Sequence, residues 1–546
     1  MNLNKQTGIL IMIISVLIGC NQIDLNKAVQ ERIKSSTLNL IPNAAGTSPS
    51  YWCTWSLQGY AASQDKNANA FGISGHSLIS EKLTEDLIFG KNGETLRYDK
   101  IRADLYIVYD LGWDIEPGVN LEKEPWQKGR LILSEQKFPE CTGTPVERLR
   151  KLNEMTKQSG WKGAGFWVAA EPFEYGKNGN KQSLQETKKY FEQRAEWFNE
   201  AGIEYWKVDY GAFKGNVEFR RDIADAARQY APGLYVENCN VDGPLNDESC
   251  PWCGAKVNHT GRFKNWGDGR ILKNALEILS FSPVYRTYDV SPLMSVPTTL
   301  DRVASLLEYY DYPTSGGLIN CEDEPYIGAA LGCSLGIMRH PEFSEKKNFD
   351  EVIRAVRWQR IAPAFPVKTG ETNVDTTILT DNYFFKEGET WATWIIGQVS
   401  KQCAPARIAR GMALPEVVSD QEMPYVICSE NPSGAITIAT LPRLSSEQGQ
   451  NYPLAEVAIN IKNRRKLPPI GVFGFYKSLA ITFDSNIAIN KVLAQDLAGD
   501  IAIDITDLIK TDGAKIKING ELLRLVGLSS ASKNDVSEPG LLLVFE

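Results

Sequence analysis

"SLQETKKYFEQRAEWFNEAGIEYWKVDYG", residues 183–211, carries two kinds of order in one stretch. Residues 183–202 set their apolar side chains at helical spacing and stop near Gly202. "EYWKVD" (204–209) then reads as a short strand that ends in two opposite charges. A buried charge is costly unless it is paired or used. Lys207 and Asp209 are two apart and so share one face of the strand. They either cap a strand end or point together into a pocket.

The same alternation runs from about residue 50 to about residue 370. "ADLYIVYD" (103–110), "GAGFWVAA" (163–170) and "GLYVEN" (233–238) read as strands. "PVERLRKLNEMTKQSG" (145–160) and "NVEFRRDIADAARQYAPG" (216–233) read as helices with glycine near their ends. Repeated strand–helix units of this total length predict a parallel sheet closed into a (β/α)8 barrel, a TIM barrel, over 49–375. Beyond it, "EVAINIKN" (456–463), "LAITFDS" (479–485), "IAIDITDLI" (501–509) and "AKIKING" (514–520) alternate apolar and polar residues between turns. That pattern predicts an all-β antiparallel sandwich over 376–546.

The N-terminus has its own signature. Lys5 precedes "GILIMIISVLIGC" (8–20), an apolar run short for a membrane span and suited to a signal-peptide core. "LIGC" (17–20) resembles the bacterial lipobox, which implies lipid modification of Cys20 after cleavage. Residues 1–20 are therefore expected to be a lipoprotein signal peptide and the polar stretch 21–48 a tether. The expected location is outside the cytoplasm, anchored to a membrane at the periplasmic or cell-surface side.

A net charge of −8 over 546 residues argues against nucleic acid as a partner. Three histidines, His76, His259 and His340, are too scattered for a multi-histidine metal centre. Nine cysteines follow Cys20, an odd number, so at least one is free or pairs between chains. "CPWC" (250–253) lacks a second pair and is read as a loop disulfide or ordinary buried thiols.

In a barrel of this kind, function gathers where the strands end. The strand ends here supply Trp52 and Trp55, then Asp110, Trp113 and Asp114, then Glu171, Lys207, Asp209, Glu237, Arg286, Asp289 and Asp323. Carboxylates accept hydrogen bonds from several hydroxyls, and an indole covers the apolar face of a pyranose. A sugar pocket is the expectation.

The order of these motifs resembles the α-galactosidases of glycoside hydrolase family 27. The resemblance rests on Trp52 and Trp55, on "DLGW" with Asp110 and Trp113, and on "KVD" with Lys207 and Asp209. It extends to Glu237, to Arg286 with Asp289, and to "NCEDEPYIG" (320–328) with Asp323. It implies a retaining exo-glycosidase that releases terminal α-D-galactosyl residues from an oligosaccharide or polysaccharide. Asp209 would be the nucleophile and Asp289 the acid/base. Trp55, Asp110, Lys207, Glu237, Arg286 and Asp323 would bind the sugar, and no cofactor or metal would be needed. In two places the motifs differ from the family's. Leu111 stands where the family has a second aspartate, and Arg286 and Asp289 are one residue closer together than usual. The first difference opens β-L-arabinopyranosides as alternative substrates, since that sugar has the galactose ring stereochemistry without the hydroxymethyl group. A carbohydrate-binding lipoprotein without turnover is the other alternative.

Overall fold

The computed structural model describes residues 24–64, 75–239, 269–287, 296–338, 349–383, 386, 402–445, 447–462, 466–483 and 489–546. Cys20, "CPWC" and Asp289 lie outside the described residues.

The helix read at 183–202 spans Leu184–Glu200. Ser183 and Glu186 close a capping box: the Glu186 N–H donates to Ser183 Oγ (3.2 Å) and the Ser183 N–H to Glu186 Oε2 (2.8 Å). The strand after it, Tyr205–Val208, is fully buried. It is the fourth of eight strands in a closed parallel barrel: β1 (Ser50–Cys53), β2 (Leu105–Tyr109), β3 (Gly163–Val168), β4 (Tyr205–Val208), β5 (Tyr235–Cys239), β6 (Val284–Arg286), β7 (Leu318–Glu322) and β8 (Ser334–Ile337). β1 pairs with β8 to close the ring.

Each strand divides its side chains by parity. Trp206 and Val208 join the apolar layer under the helices, as do Ile107, Phe166 and Ile319. The other parity faces inward. Tyr51, Tyr106 and Tyr205 fill the middle of the barrel, with ring centroids 5.2 Å (51–205) and 5.5 Å (106–205) apart. Gly165 makes room for them, since a Cβ there would lie 2.9 Å from that of Tyr205. Above this aromatic plug sit Lys207 and the residues at the strand ends.

The C-terminal region is one sandwich, and it starts earlier than expected, because Thr372–Val374 already pairs with Arg407–Arg410. Among the described residues, an eight-stranded and a five-stranded sheet face each other over a single apolar core. Most pairings are antiparallel, but three are parallel: Arg407–Arg410 with Tyr425–Glu430, Ile436–Leu441 with Ile470–Phe473, and Glu456–Ile461 with Ser478–Phe483. The chain causes this by visiting the opposite sheet between neighbours; Glu416–Val418, for example, lies in the smaller sheet between the first pair.

The stretch expected to be a tether folds. Helix α1 (Leu25–Ser35) is capped by Asp24 and buries Val29 in the sandwich core. Arg32 grips Asp507 through both carboxylate oxygens, at 2.7 and 2.8 Å. The seven described cysteines are buried and unbridged.

Barrel and sandwich meet along the helix Asp350–Trp358. Arg354 forms a buried fork with Asp496 (2.9 and 3.2 Å), and the Trp358 indole N–H donates to Thr437 Oγ1 (2.9 Å). Glu538 is buried beside this seam at 4% exposure, and its Oε2 has no hydrogen-bond partner among the described residues. Burial, then the charges of Glu351 and Glu324, push its pKa well above the carboxylate range. A raised carboxylate pKa means stability is fullest below the unfolded value and is lost as pH rises toward the folded one. Glu538→Gln, which cannot ionise, therefore melts higher than the parent above about pH 4.5, the ordinary glutamate value. The gap widens by up to ~1.4 kcal/mol per pH unit. Paired melting curves from about pH 4 to 9, roughly the span between an ordinary glutamate and a deeply buried one, measure it; a gap independent of pH would refute the assignment.

Candidate active site

The strand ends bring four carboxylates and two cations together in the barrel. Lys207, on β4, lies 2.9 Å from Asp110 at the end of β2 and 3.9 Å from Glu322 on β7. Arg286, ending β6, reaches three carboxylates: Asp209 at 3.0 Å, Glu237 at 3.1 Å, and Glu322 through one nitrogen to both oxygens at 3.1 Å. The parity of each strand explains the convergence, because each of these side chains lies an even number of residues from an inward tyrosine or glycine of its own or a paired strand.

Exposure separates the four. The side chains of Asp110, Glu237 and Glu322 are 4, 0 and 2% exposed, whereas that of Asp209 is 14% exposed. Asp209 is thus the most exposed carboxylate of this cluster. Both its oxygens are held: Oδ1 by Arg286, and Oδ2 by the Trp167 indole N–H at 3.0 Å. Burial raises its pKa, but Arg286, Lys207 and the Trp167 hydrogen bond outweigh burial and leave the net value lowered. Asp209 stays ionised. Burial also opposes the charge on Lys207, yet Asp110 holds its pKa well above the ordinary lysine value.

The remaining expected residues have definite places. Trp55 opens the helix after β1, half-buried, with its ring 6.0 Å from that of His76. It packs on an apolar cluster of Leu111, Ile115, Leu121 and Trp167. Asp110 accepts from the Cys53 thiol (2.9 Å) as well as from Lys207, and from the Leu111 N–H (2.8 Å). Two residues read as sugar ligands are held by neighbours in the barrel wall. Glu237 lies below the opening: Tyr51 donates to its Oε1 (3.1 Å) and Tyr205 to its Oε2 (2.7 Å). Asp323 adopts a left-handed backbone (φ 56°) and accepts the Met338 N–H at 2.7 Å, tying β7 to the end of β8. It is the neighbouring Glu322 that faces inward.

Glu322 and Trp167 were not singled out from the sequence, and neither were the inward tyrosines. Parity supplies the signal for Glu322, since Asn320 and Glu322 alternate with the outward Ile319 and Cys321. Tyr210 follows Asp209 and is 48% exposed, with Lys128 and Lys214 each 5.2 Å from its ring. It adds an aromatic surface to the rim.

No family model and no curated protein matches the chain. Solved structures similar to it include a family-27 β-L-arabinopyranosidase from Geobacillus stearothermophilus, with TM-score 0.42 and 10% identity over 92% of this chain and 97% of that one. A proposed α-galactosidase from Bacteroides fragilis has TM-score 0.39 and 13% identity, covering 92% and 79%. An α-amylase from Geobacillus thermoleovorans, complexed with acarbose, has TM-score 0.39 and 10% identity, covering 92% and 99%. Likeness this distant carries no chemistry: the barrel rests on its own strand pairing and the site on its own contacts.

Proposed function

We propose that the chain is a retaining exo-glycosidase for terminal α-D-galactosyl groups. The observation that carries this reading is Asp209, the most exposed carboxylate of the cluster, ionised while Arg286 and Trp167 fix both its oxygens. A carboxylate so placed can attack an anomeric carbon and form a glycosyl-enzyme ester. The acid/base role falls to Asp289, which would protonate the departing oxygen and then take a proton from water. When Asp209 becomes an ester its charge disappears, and Arg286 keeps Glu322 and Glu237 as partners. The rim aromatics Trp55 and Tyr210 supply surface for a pyranose. A panel of nitrophenyl glycosides, with the product anomer followed by NMR, tests the reading. Turnover of the α-galactoside with retained configuration supports it; an inverted product or no turnover of any glycoside rejects it.

Leu111 favours a second reading, β-L-arabinopyranosides. Its side chain lies in the apolar cluster with Trp55 and Trp167, whose indole holds Asp209. An apolar wall tolerates a missing hydroxymethyl group and offers its hydroxyl nothing. Leu111→Asp is expected to raise the ratio of galactoside to arabinopyranoside kcat/KM about tenfold, the worth of one hydrogen bond of ~1.5 kcal/mol. The ratio is insensitive to partial loss of folded protein. A parent that strongly prefers galactoside, with a ratio the mutation leaves alone, removes the second reading.

A further inference from the structure

The cluster does not balance. Among the described residues, Asp110, Asp209, Glu237 and Glu322 form ion pairs only with Lys207 and Arg286, and the charge of buried Arg220 acts on Asp209 from beside it, so full ionisation would still leave excess negative charge nearly out of water. A proton held on one carboxylate relieves that excess. Asp110 is paired with Lys207 and Glu322 is gripped by Arg286 through both oxygens, while Asp209 carries both Arg286 and an indole N–H. Glu237 differs. It is wholly buried, and its two oxygens meet one phenol each, groups that can donate or accept and so suit either protonation state. The arrangement is built around it: Gly336 leaves space for the Tyr51 hydroxyl, which a Cβ there would approach to 2.7 Å.

We propose that Glu237 is a positioning residue that holds a proton between Tyr51 and Tyr205, leaving the Arg286 guanidinium to Asp209 and Glu322. The inference rests on the glycosidase reading for its kinetic consequence only. Among the described residues, the charged and titratable groups facing Glu237 are Tyr51 on β1, Tyr205 and Lys207 on β4, Cys239 on its own strand β5, Arg286 on β6 and Glu322 on β7. Burial raises its pKa, against Arg286, Tyr205 and Lys207, to about 7. Once ionised, Glu237 competes for the guanidinium and weakens its hold on the nucleophile. Activity then declines as pH rises through that value.

Infrared titration of the intact protein tests the proton directly. The parent is expected to lose a protonated-carboxyl band as pH rises through about 7, and Glu237→Gln to lack that band. Tyr205→Phe removes a donor to the ionised form and moves the midpoint up by roughly half to one pH unit. In kinetics, Glu237→Gln shifts the alkaline limb of kcat up by about one unit or more and leaves KM in place. Because Glu538 and Asp114 also carry raised pKa values, the readout is the parent-minus-Glu237→Gln difference spectrum, and the absence from it of a carboxyl band lost through about 7 overturns the proposal. So does a raised KM with the limb unmoved, the mark of a lost sugar ligand. The band behaving as stated, with no glycoside turned over by the parent, would sink the glycosidase reading and leave the proton store standing.

Discussion

Asp209→Ala lowers kcat on every glycoside by at least about 10⁴-fold, the scale seen when a covalent nucleophile is removed. No other described carboxylate of the cluster can take over, since Asp110, Glu237 and Glu322 are all nearly inaccessible. The variant should still fold, because Arg286 keeps Glu237 and Glu322 as partners. Azide is expected to restore part of the turnover on activated substrates by filling the space left by the carboxylate. It would give a glycosyl azide of configuration opposite to the parent's product. Failure of azide, together with an inverted product from the parent, would place the nucleophile elsewhere.

Arg286→Ala has the next largest effect, and it acts on stability and activity at once. Removing a buried cation that serves three carboxylates strands their charge inside the barrel. The expected loss is about 3–5 kcal/mol of folding free energy, measured by urea denaturation. Surviving folded protein should be slow as well, since Asp209 loses the cation that lowers its pKa. Arg286→Lys does not restore either property, because one ammonium cannot span three partners that a planar guanidinium reaches with separate nitrogens. A variant as stable as the parent would show that the three contacts contribute little.

The barrel was legible because its signal is periodic and repeated: each strand–helix unit states the same pattern again, and only the closing of the ring is left to length. Lys207, Asp209, Asp110 and Arg286 were legible as charges in apolar strands, an expense that singles out their positions. Asp323 and Glu322 differ by one residue, and it is Glu322 that joins the buried charge cluster. A motif match fixes a neighbourhood, whereas the pleat of the strand determines which of two adjacent acids turns inward. The depth of Glu237 is not legible, because its tyrosine partners come from β1 and β4 and nothing local announces them. The parallel pairings of the sandwich are hidden for a similar reason. Strand sequences show alternation, but they do not show that the chain has crossed to the other sheet in between.

The strand Gly540–Phe545 sits inside the larger sheet, flanked by Ile470–Phe473 and Val492–Asp496. A ribosome must therefore make almost the whole chain before that sheet can close, and α1 waits longest of all: Arg32 and Asp507 are 475 residues apart. During that interval the barrel's last helix shows its sandwich-facing side, Arg354 and Trp358, to solvent or to whatever holds the nascent chain. Pairings this remote are slow to form and leave unpaired strand edges exposed meanwhile. The order of synthesis makes the sandwich, rather than the larger barrel, the step on which yield of native protein turns.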